Sequence, residues 1–225
     1  ATTPNDAEHF RKHLSTAATF SNISDSLGKL DLQGPGTLDV MKKLVGPAIA
    51  GLGYYTFGHF DLLGEKCIIS RTGYTGELGF ELYISAAKVT ELWRRILTDG
   101  RVKPAGLGAR DTLRLEMAYP LYGQDLTEET TPLEGDKAPF VDLGKDFLGK
   151  PAMTAAGRPY KRLIYFAADS RRAPRHNYRI IAGGKDVGIV TSGSFSPSLG
   201  CGIGMGYVSV PCPVGTPIVL KENAV

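Results

Sequence analysis

Glycine occupies 28 of the 225 positions and proline 14, a glycine share well above the ~7% of an average chain. Both residues punctuate turns and weaken helix interiors, so the chain is confined to short elements joined by frequent turns. A helical bundle is excluded. The length allows one large domain or two modest ones, at roughly 100–200 residues per domain. With 42% hydrophobic and 22% charged residues, the chain is globular in composition, which excludes disorder as its main state. The net charge of +3 is scattered without a basic stripe, so no nucleic acid is expected as partner. No apolar run approaches the ~18–20 residues of a membrane span, and the opening ATTPNDAEHF has neither a basic n-region nor an apolar h-region. Cys67, Cys201 and Cys212 form no CxxC pair, and reduced structural thiols in a reducing compartment are the expectation.

The hydrophobic pattern places the elements. Asn5 with Glu8 reads as a capping box opening a helix whose apolar stripe is Phe10 and Leu14. The alternating run 27–33 predicts a strand stopped by Gly34-Pro35-Gly36, and 37–44 predicts a helix. Segments 54–60 and 66–70 are β-rich. In 80–84, Phe80, Leu82 and Ile84 share one strand face while Glu81 and Tyr83 share the other. The spacing predicts a helix over 86–97, with Trp93 on its apolar stripe and therefore in the core. A further helix covers 107–118 and stops before Pro120. Pro151, Gly157 and Pro159 suggest a linker, followed by short strands at 162–166, 178–182, 187–190, 203–208 and 218–220, with a hairpin connection at 183–186. The fold class is α+β: an α+β region over 1–150, then a small β domain over 158–225.

Several motifs invite chemistry and fail its context. Gly200-Cys-Gly-Ile-Gly-Met-Gly206 lies in an all-β stretch rather than at a strand-to-helix turn, so close backbone packing or a bulge is expected there, not a dinucleotide. His9 and His13 are one helical turn apart but lack the glutamate of HExxH; no metal site is expected. More promising is Ser70-Arg-Thr-Gly-Tyr-Thr-Gly-Glu-Leu-Gly-Phe-Glu81. Its glycines would let backbone approach a flat ligand, with Tyr74 available for stacking and Glu81 delivered at the next strand. An ordinary glycine-rich turn fits the pattern equally well. Arg110 and Arg114 share one helical face with Asp111 and Glu116 nearby, a spacing that by itself favours solvated ion pairs.

Taken in order, SRTGYTGELGFEL (70–82), GLGARDTLRLEMAYPLYGQDLTEETTPLE (106–134), DFLGKPAM (146–153) and VGIVTSGSFSPSLGCGIGMGYV (187–208), with DLQGP at 31–35, resemble the aminomethyltransferase (T-protein) family of the glycine cleavage system. The KGCYxGQ signature of the tRNA-modifying relatives is absent, Lys66-Cys67 being followed by Ile68-Ile69. The resemblance implies a folate-binding cloverleaf of three domains, incomplete here, ending in a small β-barrel or jelly-roll-like domain. It implies transfer of a methylene group from aminomethyl-lipoyl H-protein to tetrahydrofolate with release of ammonia. Tetrahydrofolate is then the co-substrate and lipoylated H-protein the partner, in bacterial cytoplasm or, in a eukaryote, the mitochondrial matrix.

By the same resemblance Glu81 matches the pterin-binding glutamate, Tyr74 the aromatic loop residue and Arg114 the site arginine, with Arg110 as a lesser candidate. The family pattern begins upstream of Ala1, where its catalytic aspartate lies. No catalytic residue is therefore assigned within this chain, which alone is expected to lack transferase activity and to expose apolar surface where the remainder packs. A non-catalytic folate- or partner-binding remnant and a folate-dependent demethylase are the alternative readings.

Overall fold

In a computed structural model the described residues are 3–155 and 161–222; the expected linker positions Gly157 and Pro159 lie outside them. Contacts divide the chain into two compact units. The first comprises the chain to Gly73 and Glu77–Pro104, the second Tyr74–Gly76 and the chain from Ala105 onward. The texture change read near residue 150 therefore falls inside the second unit, because the helix over 107–116 packs with the strands that follow it.

The first unit is built on a four-stranded antiparallel sheet: β1 (Leu27–Gln33), β2 (Phe57–Leu62), β3 (Glu65–Ser70) and β4 (Gly79–Ser85), in the order β1-β4-β3-β2. Strand alternation sends Leu32, Cys67, Ile69, Phe80, Leu82 and Ile84 to one face. There they pack with Val40 and Met41 of α2 (Thr37–Val45) and with Leu92 and Ile96 of α3 (Val89–Leu97). The opposite face carries the residues between them, Glu81 and Tyr83 among them, as the alternation requires.

Two expectations about helices are overturned. Helix α1 spans Thr3–His13, so Asn5 lies inside it rather than at its cap; Ala7 is its buried residue, and Phe10 and Leu14 are exposed. Phe10 packs locally against Phe20, ring centroids 5.4 Å apart, instead of on the core. Trp93 is 42% exposed: residues 86–88 form a turn, and the helix that follows, α3, buries only Leu92 and Ile96. A stripe that looks five residues wide on a helical projection needs a correspondingly wide partner, and this helix meets the sheet chiefly along β1.

The second unit holds α4 (Leu107–Glu116), the short α5 (Lys150–Ala155), and a five-stranded antiparallel sheet. Its strands are β5 (Arg162–Ala167), β6 (Arg179–Ala182), β7 (Lys185–Ser196), β8 (Cys201–Val208) and β9 (Ile218–Lys221), in the order β5-β8-β7-β6-β9. β6 and β7 are joined through Gly183-Gly184. One face packs Leu163, Ile203, Met205 and Tyr207 against Leu115 of α4. A second cluster is made by Ile180, Val187, Val190 and Val208.

The alternating glycines of β8 are strand material, as their context demands. A β-carbon on Gly204 would lie 2.6 Å from the Phe166 ring and 2.8 Å from the Ser192 carbonyl oxygen, and one on Gly206 would press on the Ile189 carbonyl. Close approach of neighbouring backbone, not a phosphate, accounts for them. The three cysteines are free thiols. Exposed apolar side chains occur in both units, Tyr54, Tyr55 and Phe57 in the first and Leu107, Phe140 and Leu148 in the second. No helix among the described residues is long and apolar enough to cross a membrane.

Candidate functional site

In the first unit the candidate chemistry gathers on the sheet face turned away from the core. β4 is central, paired with β1 and β3, and its register sets Glu81 opposite both Asp31 and Ser70. Lys29, two residues before Asp31 on β1, reaches diagonally to Glu81 Oε1 at 2.5 Å and lies 3.2 Å from Asp31 Oδ1. The other oxygen, Oε2, accepts Thr72 Oγ1–H at 2.5 Å, and Thr72 is placed by the glycine-bearing loop between β3 and β4. Ser70 Oγ and Thr72 Oγ1 are 2.7 Å apart. Burial works against ionisation of Glu81, whose side chain is 16% exposed. The hydrogen bonds from Lys29 and Thr72 outweigh it and hold the carboxyl below the usual glutamate range.

The glycines of this loop have a local reason. Gln33 at the end of β1 lies where β-carbons on Gly73 and Gly79 would sit, and its amide nitrogen donates to the Thr72 carbonyl at 3.2 Å. Both glycines thus let the Gln33 side chain lie flat across the loop base and fix Thr72 beside Glu81.

In the second unit the chemistry gathers around an arginine that is not solvated at all. Arg114 on α4 is 1% exposed, which corrects the reading of its spacing as a surface ion pair. Its Nε donates to Asp111 Oδ1 at 2.7 Å, Nη1 to Asp125 Oδ2 at 2.7 Å and Nη2 to Ser192 Oγ at 2.8 Å. Asp125, itself fully buried, also accepts Leu121 N–H at 2.8 Å and Thr191 Oγ1–H at 2.5 Å. Thr191 and Ser192 are consecutive, and on a regular strand they would point to opposite faces. The ladder between β7 and β8 slips between Val190 and Ser192, and this bulge turns both hydroxyls toward the Arg114–Asp125 pair.

Tyr74 belongs to this unit. Its hydroxyl donates to the Pro120 carbonyl and its ring stacks on Tyr119, centroids 5.6 Å apart. Arg110 is exposed and sits 4.8 Å above the Tyr74 ring. Burial pushes the Tyr74 phenol up, against the pull of Arg114. Asp111, near both arginines in sequence, is held by Arg114.

The structure therefore places Glu81 with Lys29, Asp31 and Thr72, and places Tyr74, Arg110 and Arg114 together around the end of α4. The sequence reading missed Lys29, Asp31, Thr72, Asp125, Thr191 and Ser192. The alternation of 27–33 already put Lys29 and Asp31 on one strand face; only the pairing of β1 with β4 brings them to Glu81.

Comparison with known proteins gives concordant results. A family model described as the GCVT N-terminal domain matches residues 1–145, and one described as the glycine cleavage T-protein C-terminal barrel domain matches residues 161–221. An aminomethyltransferase of Moorella thermoacetica is 46% identical over 195 residues, 84% of this chain and 53% of the relative. One of Rubrobacter xylanophilus is 41% identical over 227 residues, 98% of this chain and 60% of the relative. The crystal structure of the glycine cleavage system aminomethyltransferase T from Bartonella henselae superposes with a TM-score of 0.86 at 28% identity, covering 99% of this chain and 62% of that one. The chain thus spans between half and two thirds of the length of these relatives.

Proposed function

The chain belongs to the glycine cleavage T-protein family, and from that premise we propose that it is the folate-binding body of an aminomethyltransferase. In this reading it takes tetrahydrofolate as co-substrate and lipoylated H-protein as donor partner, in the cytoplasm of a bacterium. The bacterial relatives named aminomethyltransferase support the reaction class. The reaction moves the methylene group of the aminomethyl-lipoyl arm to the reduced folate, releases ammonia and leaves the sulfur as a thiol of the reduced lipoyl arm.

The observation that carries the reading is the Glu81 carboxylate. A reduced pterin presents a ring N–H beside an exocyclic NH2, a pair of parallel donors that one ionised carboxylate accepts at once. Glu81 is ionised, largely sheltered and fixed at both oxygens by Lys29 and Thr72. A carboxylate has about four lone-pair sites; Lys29 and Thr72 take two and the longer bond from the Tyr83 hydroxyl, at 3.4 Å, a third, so the second N–H of a ligand takes the place of the Tyr83 hydroxyl. The residues fit the ligand's hydrogen-bonding edge.

The two arginines exchange ranks in this proposal. Arg114 directs its guanidinium to Asp111, Asp125 and Ser192, so it acts as a positioning residue that fixes the end of α4. Arg110 and Tyr74, stacked together at that end, are the candidates for contact with the ligand. Catalysis in such a site comes chiefly from holding the nucleophilic nitrogen against the methylene carbon, that is, from positioning.

Calorimetric titration of tetrahydrofolate into the chain and into Glu81→Ala tests the reading. A charge-assisted pair is worth about 1.5–3 kcal/mol, so the variant should bind at least ~10-fold more weakly. Equal affinities would overturn the assignment. Adding aminomethylated H-protein and following methylene-tetrahydrofolate separates a transferase from a folate-binding remnant.

A further inference from the structure

We propose that Lys29 is a positioning residue of the folate-binding carboxylate: braced between Asp31 and Glu81, its ammonium orients the Glu81 side chain for the incoming ligand. The inference rests on the reading of Glu81 as the folate acceptor and deepens it, since nothing in that reading requires a cation on β1.

Asp31 and Glu81 are directly opposite each other on the same face of an antiparallel pair. Like charges so placed repel, and a carboxylate beside a carboxylate is driven toward its neutral form. A protonated Glu81 would carry a donor where the ligand's N–H edge needs an acceptor. Lys29 resolves the conflict, because its Nζ lies 2.5 Å from Glu81 Oε1 and 3.2 Å from Asp31 Oδ1. Its stem passes the Tyr83 ring, with Nζ 5.7 Å from the centroid. That ring steers the ammonium along the sheet rather than out into water.

The groups facing Glu81 within the unit are few. β1 contributes Lys29 and Asp31, β4 itself contributes Tyr83, and β3 sets Ser70 opposite, with Ile68 one step along. The loop contributes the Thr72 hydroxyl. Lys29 is the cation of this group. Consistently, its own ammonium is held above the ordinary lysine range, the bonds to Glu81 and the charge of Asp31 prevailing over burial. The sign follows: removing Lys29 leaves Glu81 opposite Asp31 with only the neutral Thr72 and Tyr83 hydroxyls donating to it, and its carboxyl takes up a proton at higher pH.

The test is tetrahydrofolate affinity of the full chain measured anaerobically from pH 8 to pH 5, for wild type, Lys29→Gln, Lys29→Arg and Lys29→Gln/Asp31→Asn. The ligand's own titration is common to all four. Lys29→Gln should lose affinity several-fold at neutral pH, with the acid limb of its profile displaced to higher pH. Lys29→Arg should restore the wild-type profile, and Lys29→Gln/Asp31→Asn should bring the acid limb back by removing the repelling carboxylate. Profiles of wild type and Lys29→Gln that superimpose overturn the role of Lys29 while leaving Glu81 as acceptor. Failure of the wild type to bind tetrahydrofolate at any pH overturns the folate reading itself. Melting temperatures of the four proteins should agree within a few degrees, because the Lys29 side chain is 40% exposed; a variant that does melt early is judged on Lys29→Arg and the double variant.

Discussion

Each unit of the molecule contains a charged pair tied to neutral hydroxyls, yet the two pairs serve different ends. On the first unit's sheet face Lys29 and Glu81 meet with side chains 40% and 16% exposed. In the second unit Arg114 and Asp125 meet with 1% and 0%. Water or a ligand can reach the first pair while Lys29 stays on Glu81; no solvent reaches the second. Burial rather than chemistry decides which pair is free to bind something new. The sheltered but reachable carboxylate is suited to recognition, and the enclosed arginine to holding α4 and the bulged β7 in one arrangement.

The difference is broken most directly by removing Asp125. In Asp125→Ala the buried guanidinium of Arg114 loses its enclosed counter-charge, and Leu121 N–H and Thr191 Oγ1 lose an acceptor. Truncating one partner of a buried pair costs about 3–5 kcal/mol. Urea unfolding should show a correspondingly lower midpoint at an unchanged slope. A loss below about 1 kcal/mol would mean that Asp111 and Ser192 suffice, and the contrast between the units would collapse.

A second comparison concerns what surrounds the glycines. In Gly206→Ala the new methyl meets the Ile189 carbonyl and the Val190 backbone, which belong to a hydrogen-bonded neighbouring strand and cannot step aside. Overpacking of that kind costs about 1–3 kcal/mol. In Gly79→Ala the obstacle is the end of the Gln33 side chain, which can rotate away. Its stability cost should be smaller than that of Gly206→Ala, although the displaced Gln33 should loosen Thr72 and weaken folate binding. Thermal melts of the two variants measured together decide the order, and a larger loss for Gly79→Ala would refute it.

These features were unequally legible in the sequence. The face assignments of Phe80, Leu82 and Ile84 against Glu81 and Tyr83 follow from a two-residue period and needed no tertiary information. The glycines of β8 were legible as strand packing because a phosphate loop demands a helix after it. Arg114 was not. An arginine three residues from an aspartate on a helix has the same spacing at the surface as in the interior, and its burial depends on Asp125 and on a bulge at Thr191, neither of which has a local signature. The contact between Lys29 and Glu81 spans 52 positions and exists only because β4 inserts between β1 and β3. Trp93 failed for the complementary reason: periodicity states which residues share a stripe, but the width of the partner surface decides how many of them are covered.

The smallest expected effect sharpens the comparison from the ligand-binding side. Glu81→Gln keeps the shape of the side chain and removes the charge from a pair that is partly hydrated. Such pairs contribute at most about 1 kcal/mol, so the unfolding midpoint at pH 7 should move only slightly while tetrahydrofolate affinity falls by an order of magnitude or more. The pH dependence fixes the sign. The carboxyl of Glu81 is held below its ordinary range in the folded chain, so it contributes stability above the unfolded-state value of about 4.3, and that contribution disappears as the pH falls through the lower folded value. The small stability gap between wild type and Glu81→Gln should therefore be constant from pH 8 to about pH 5 and close on further acidification. A gap that widens with acid would mean that the glutamate is more easily protonated in the folded chain than outside it. Lys29 would then be doing less than Asp31 and burial do together, and the carboxylate would be a poor acceptor for a pterin edge.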